Sequence, residues 1–357
     1  MSIDRNKVAE LLKTSERVFR ESARENGAIM AIGQIKPAQS NKLINYDQVW
    51  PRIGSFVSLA ADVLAIPLAE PWFNWLMNRP EDFAKDKLLF TNYDSEGGIG
   101  SAGRLFTPDQ MGTVLLVLYR YYQSDISRGK VWRDLISRLA DGLCQAWDQD
   151  HFLTGTADHW EDPERQTITD KENNFSYSLA ACARGLLCAN DFYENKTWRD
   201  TAKQMVDIIK KSYNKSGGYY YRSTGSDPDP TIDASLIGLT LPFEIIDSDD
   251  KKMIKTVQKI EETIVINGGV HRYQFDYRET EDGDVEGSPW PMLNFMMAMY
   301  WAERGNTTKA EAYYQWVIDR VDKYLPCQLT LDKQIKEYPY TLNHAFFVLA
   351  TQSLGLL

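Results

Sequence analysis

The feature that most restricts the fold of this chain is a rhythm. About twelve helical stretches follow one another, joined by connectors that are alternately short and long. Behind a capping Asp4, Val8, Leu11, Leu12, Ser15 and Val18 recur at helical spacing, with Gly27 as the stop. Phe56, Leu59, Ala60, Val63 and Leu64 mark a second helix ending at Pro67, and a third over 68–78 follows after almost no linker. A helix capped by Asp109 runs to Tyr122, and another covers 130–147. Helices over 174–190 and 196–213 join through Asp191, and a short link separates 232–238 from 250–266. Those over 289–304 and 307–324 meet at Gly305-Asn306, and 342–356 closes the series.

Short links suit antiparallel helix pairs, whereas long connectors in a compact domain usually carry function. The pattern therefore predicts about six helical hairpins. Closed into a ring, they place every long connector at the same end. The expected fold is an all-α (α/α)6 toroid, one domain over 1–357, with the connectors forming one cleft. A helical solenoid would share the period, but its connectors would repeat, and these do not resemble one another. The run Gly218-Tyr219-Tyr220-Tyr221-Arg222 predicts small β-hairpins inside connectors.

Ten Trp and 19 Tyr exceed what packing alone requires, which fits a cleft lined with rings. A net charge of −10 argues against nucleic acid as partner and leaves neutral ligands compatible. No apolar run approaches the roughly 18 residues of a membrane span, and Met1-Ser2-Ile3-Asp4-Arg5 opens no signal-peptide core. Cys144, Cys182, Cys188 and Cys327 have no metal-ligand spacing, and nothing else in the sequence calls for a metal or an organic cofactor. A reducing cytoplasm is the expected compartment, with the sequons at Asn195, Asn214 and Asn306 coincidental.

Within the long segment 150–170, Ala157-Asp158-His159-Trp160-Glu161-Asp162 sets an indole beside two carboxylates. A carboxyl packed on a ring loses solvation and can hold its proton near neutrality, as a general acid must. The plainer reading is a solvated acidic loop with one half-buried Trp. Other long segments carry Tyr46, Trp50 and Arg52; then Gly268 through Tyr273, including His271 and Arg272; then Ser288-Pro289-Trp290; and finally Leu325-Pro326-Cys327-Gln328. Arg offers several fixed donors suited to vicinal hydroxyls. Taken singly, Arg52 could cap a helix and Trp290 could be core.

Taken in order, these motifs resemble the glucoamylase family, inverting exo-glucosidases on an (α/α)6 barrel. The resemblance spans nearly the whole chain. It implies Glu161 as general acid, with Tyr46, Trp50, Arg52, Trp160, Asp162, Arg272 and Trp290 around a terminal sugar of an oligosaccharide or small glucoside. Two positions depart from the family pattern. Ile53 stands where the family has an Asp that grips sugar hydroxyls, and Cys327 occupies the place of the family's base. An inverting mechanism needs a carboxylate about 6.5–9.5 Å from the acid, and a thiol is a poor oxygen base. Asp284, Glu286, Asp332 or Glu337 could serve instead, a sulfinate at Cys327 could restore the anion, or hydrolysis could be lost.

The leading expectation is thus an exo-acting glycosidase, of α-glucosidase type by the resemblance. The alternative is a glycan-binding relative without turnover. A third class on a six-hairpin toroid is a lyase, which would want a more basic cleft than this composition offers, or an epimerase, which would draw on His159 and His271, each of which could equally orient a neighbouring side chain.

Overall fold

The computed structural model describes residues 3–33, 47–79, 88–102, 105–161, 174–225, 228–276, 288–329 and 339–357. Its helices, in chain order, are α1 (Arg5–Ser22), α2 (Pro51–Val63), α3 (Ala69–Met77), α4 (Asp109–Tyr122), α5 (Ile126–Gly129), α6 (Arg133–Gln145), α7 (Ser176–Phe192), α8 (Lys196–Lys211), α9 (Lys251–Ile264), α10 (Pro291–Glu303), α11 (Thr307–Ile318) and α12 (Thr341–Ser353). A six-residue 3-10 helix, Ala234–Leu239, stands where the pattern predicts a helix over 232–238.

Neighbour relations close the ring. Helix α2 packs on α4, α4 on α7, α7 on the 3-10 helix, the 3-10 helix on α10, α10 on α12, and α12 back on α2. These inner elements are buried almost all round: every residue from Pro51 to Ala61 is buried in α2. The remaining long helices form the outer layer and are amphipathic. In α9, Met253, Thr256, Val257, Ile260 and Ile264 share the buried stripe that helical spacing dictates. Helix α1 packs against α12, and Thr341 N–H donates to Ala31 O at 3.0 Å, tying the first segment to the last.

At the α4–α7 contact the backbones nearly touch. A Cβ on Gly112 would lie 2.2 Å from Ala181 O, and one on Gly185 would lie 2.6 Å from Gly112 Cα. Only glycine permits that approach.

Four of the outer helices begin differently from the inner α-helices, although outer α3 and α6 also lack a side-chain cap and the inner 3-10 helix is capped by Asp233. Outer helices α1, α8, α9 and α11 are capped by their own Asp4, Asn195, Asp250 and Asn306 side chains. Inner helices α2, α4, α7, α10 and α12 have no side-chain cap. Amides from adjacent inner helices serve instead. Gln110 Oε1 accepts from Arg52 N–H at 3.1 Å, and Asn343 Oδ1 accepts from Met292 N–H at 3.1 Å. These bonds meet first-turn donors that have no intrahelical acceptor, and they lock the inner N-termini side by side.

Short antiparallel pairs occupy the connectors as predicted. Tyr213–Asn214 pairs with Tyr219–Tyr220, and Val265–Ile266 with Gly269–Val270. Three boundaries differ from expectation. Where a helix is predicted over 130–147 there is a 3-10 turn over Lys130–Trp132 and then α6, with the short α5 just ahead of them. Helix α1 ends at Ser22, and Gly27 takes a left-handed turn beyond it at φ 94°. Asp109 does not cap α4: it is the helix's first residue, and its carboxylate is spent elsewhere. Among the described residues, no helix is long and apolar enough to cross a membrane. Nor does any group of three or more His, Cys, Asp or Glu side chains among them stand ready to hold a metal.

Candidate active site

The uncapped ends of α2, α7, α10 and α12 face one cavity of about 640 Å³, measured out to its open mouth. Its wall repeats a position. The second residues of α2, α7, α10 and α12 (Arg52, Tyr177, Met292 and Leu342) all line it, as do the residues preceding three of those helices: Trp50, Trp290 and Tyr340. In the Trp-Pro starts of α2 and α10 the Pro fits the first helical turn, where its missing N–H costs nothing, and the Trp is left extended at the rim.

Between these ends sits the turn Asp158–Glu161. Glu161 N–H donates to Asp158 O at 3.0 Å, and Glu161 has φ 55°, a left-handed conformation unfavourable for a residue with a Cβ. That turn brings Glu161 Oε1 to 2.9 Å from Arg52 Nη2, which also donates to His159 O at 2.9 Å. Arg52 Nη1 donates to Asp109 Oδ2 at 2.6 Å. Burial opposes the Arg52 charge, but the carboxylate of Asp109 foremost outweighs it and keeps the guanidinium protonated.

One buried cation thus faces two carboxyl groups. Burial raises Asp109, and Arg52 works against that rise. For Glu161, burial pushes the pKa up to about 8; Arg52 pulls it down, while Asp109 and Asp158 raise it further. Asp109 suffices to balance Arg52, so the proton resides on Glu161 at neutral pH. With Oε1 accepting from Arg52, Oε2 is the oxygen that carries it. The Glu161 side chain remains 17% exposed, towards the cavity it lines.

A second charged cluster anchors the same turn from behind. Arg222, 3% exposed, pairs with Asp158, with Asp229 at 2.8 Å and with Asp233 at 2.8 Å. Asp233 also accepts from the Trp160 indole N–H, at 3.2 Å to Oδ2 and 3.3 Å to Oδ1. The rim is completed by Arg272, held by both oxygens of Asp276 at 2.8 and 2.9 Å. Its guanidinium lies 5.8 Å from the Trp160 ring, and 5.3 Å from those of Tyr273 and Trp290.

Of the residues singled out in sequence, Trp50, Arg52, Trp160, Glu161, Arg272 and Trp290 converge on this cavity. Tyr46 and Asp162 lie outside the described residues, as do Asp284, Glu286, Asp332 and Glu337. His159 lines the cavity, stacked 4.0 Å from the Tyr177 ring, and burial together with Arg52, Arg222 and Arg272 holds its pKa well below the usual value. His271 is buried outside the cavity wall, its backbone N–H donating to Ile264 O.

The sequence pattern that defines glycosyl hydrolases family 15 matches residues 78–330. This chain belongs to that family. An uncharacterized glycosyl hydrolase of Methanocaldococcus jannaschii is 26% identical over 306 residues, which make up 83% of this chain and 45% of that protein. The chain therefore spans less than half the length of that relative. An isomaltose glucohydrolase of Kribbella flavida is 22% identical over 350 residues, covering 86% of this chain and 85% of that protein. In three dimensions the fold matches a variant glycosidase solved in complex with glucose, with a TM-score of 0.78 at 20% identity and full coverage of both chains.

Within this family 15 chain, the two departures seen in sequence have distinct settings. Ile53 lines the cavity. Cys327 is 3% exposed and is not among the described residues of the cavity wall. Its carbonyl and that of Pro326 accept from Asn343 Nδ2, which pins this segment to the start of α12.

Sequence reasoning missed Phe56, Asp109, Tyr177, Met292, Tyr340, Leu342 and Phe346. Their common signal is position: all but Phe56 and Phe346 sit at or just before the first turn of an inner helix.

Proposed function

We propose that this protein is an exo-acting glycoside hydrolase that removes a terminal α-glycosyl unit with inversion. The observation that carries the reading is Glu161, a carboxyl group protonated near pH 7, fixed by Arg52 at the wall of a cavity ringed by indoles. A bound sugar would stack its C–H faces on Trp50, Trp160 and Trp290 and give its hydroxyls to Arg52 and Arg272. Glu161 would protonate the departing glycosidic oxygen as the bond to the anomeric carbon breaks. Water would attack from the opposite face, activated not by the Cys327 thiol but by a carboxylate from among Asp284, Glu286, Asp332 and Glu337. The isomaltose glucohydrolase relative and the glucose-bound structural neighbour favour glucosides as first substrates to assay.

The test is hydrolysis of isomaltose, maltose, trehalose and aryl α-glucosides by the protein and by Glu161→Gln. The substitution is expected to lower the rate by roughly 10²–10⁴ for natural leaving groups, and less for a nitrophenol that needs no proton. Unchanged hydrolysis in the variant would remove Glu161 from the mechanism.

The position of Cys327 favours one second reading, a sugar-binding relative without turnover. It predicts a sugar-dependent rise in Tm with no sugar released on long incubation.

A further inference from the structure

We propose that the terminal sugar this cavity selects carries a methyl group on C5 in place of a hydroxymethyl group, that is, a 6-deoxyhexopyranosyl unit. The inference rests on the glycosidase reading above and adds its substrate class.

The cavity has two chemically different walls. Arg52, Glu161, His159 and Arg272 make one of them polar. His159 is 6% exposed, and neither of its ring nitrogens has a hydrogen-bond partner among the described residues. The indole nitrogens of Trp50 and Trp290 are in the same condition. All three residues line the cavity, so this wall holds buried donors and acceptors that a ligand with hydroxyl groups would satisfy.

The other wall is formed by Ile53, Phe56, Met292, Leu342 and Phe346. Each is no more than 4% exposed, and none carries a hydroxyl, amide or charge. Helical spacing explains how they gather: Ile53 and Phe56 share a face of α2, as Leu342 and Phe346 share a face of α12. The Phe56 and Phe346 rings stand 5.1 Å apart. Phe346 also bounds a second cavity, lined by Met296, Met299 and Leu349 further along the helices. It is therefore the partition between the two, and this apolar wall is the floor of the first.

A pyranose with its anomeric carbon beside Glu161 and its ring hydroxyls on the polar wall leaves its C5 substituent for the floor. Against Ile53, Phe56, Met292, Leu342 and Phe346 a hydroxymethyl group would shed its water and gain no hydrogen bond from those side chains, whereas a methyl group would bury apolar surface. A pentose, with only hydrogen at that position, would leave a void without packing contacts.

Binding can be measured apart from turnover with S-linked phenyl 1-thio-α-glycosides, which resist hydrolysis. Calorimetric titration of the protein with the glucoside, the 6-deoxyglucoside and the xyloside is expected to show the 6-deoxy sugar bound about tenfold or more tightly than either of the others. Ile53→Asp should shift the preference towards the glucoside. Because a buried Asp can unfold the chain, Ile53→Thr provides an uncharged hydrogen-bonding group and should narrow the preference in the same direction. Glucoside or xyloside binding as tight as that of the 6-deoxy sugar, or no binding by any of the three, overturns the proposal. Loss of O-glycoside hydrolysis in Glu161→Gln is scored separately, so the glycosidase reading can survive a failed preference, and a preference without hydrolysis would remove turnover alone.

Discussion

Arg52 reaches Asp109 at 2.6 Å in a pair whose side chains are 7% and 0% exposed, and this contact decides where a proton sits two groups away. Because Asp109 already balances the guanidinium, Glu161 is not needed as its counter-ion and stays protonated up to about pH 8. Asp109→Asn keeps the shape and removes the charge. Arg52 would then have Glu161 as its single carboxylate partner among the described residues, and its attraction would favour the ionised acid. The alkaline limb of the pH–rate profile should move down by about one pH unit or more, with a fall in rate at pH 7 and little change below pH 5. An unmoved limb would show that Asp109 does not set the state of Glu161.

The same carboxyl group makes folding depend on pH. Its folded pKa, about 8, lies above the ordinary carboxylate value of 4.5. Between those values the folded chain holds a proton that the unfolded chain has released. Stability therefore falls as pH rises through that window. Glu161→Gln removes the titration, so its stability relative to the parent should increase steadily from pH 5 to pH 8 by up to a few kcal/mol, at about 1.4 kcal/mol per pKa unit. Urea unfolding at three pH values checks the slope, and a constant difference would contradict the raised pKa.

Much of this architecture could be read from the sequence, for physical reasons that differ by layer. Outer helices such as α9 face water on one side, so their apolar stripe reveals both helix and face. Inner helices such as α10 are apolar on nearly every side, so spacing reveals the helix but not which residue meets the cavity. That is why Met292, Leu342 and Tyr177 do not stand out from their helices in the sequence. Asp109 was concealed differently: an acid ahead of an apolar helix has the signature of a cap, and only the fold shows it buried beneath Arg52. Trp160 and Glu161 were legible because an acid beside an indole in a polar connector has a chemical use and little packing use.

His344 illustrates a histidine with a purely structural task. Its Nε2 accepts from Leu325 N–H at 3.1 Å, which places the proton on Nδ1 and makes that nitrogen the donor to Ser15 Oγ at 2.8 Å. Burial lowers its pKa to about 3. His344→Leu leaves a buried N–H without an acceptor, a loss of about 1–3 kcal/mol at pH 7. Below the ordinary histidine pKa of 6.5, the parent's unfolded chain binds a proton that its folded chain refuses, so the parent loses stability as pH falls. The variant lacks that term. The difference between them should shrink by about 2 kcal/mol at pH 5, and an equal difference at both pH values would refute the assignment.

Asp233 joins three parts of the site through one carboxylate. It accepts from Arg222 Nε at 2.8 Å, from the Trp160 indole, and from Ser235 N–H at 2.7 Å at the start of the 3-10 helix. Asp233→Ala removes the acceptor of all three donors and takes one anion from a buried Arg, so a loss of about 3–5 kcal/mol is expected. Asp233→Asn gives up the charge but keeps an oxygen for the indole and for Ser235. If the carboxylate matters to the site by orienting Trp160, the Ala variant should raise KM well beyond the Asn variant, while kcat changes by a similar factor in both, because neither substitution touches Glu161. Steady-state kinetics on an aryl glycoside, run below the Tm of each variant, separates the two effects. Equal KM values for Ala and Asn would mean that Asp233 acts through Arg222 and the turn at Asp158, and that the indole is held by its ring contacts with His159 and Trp290.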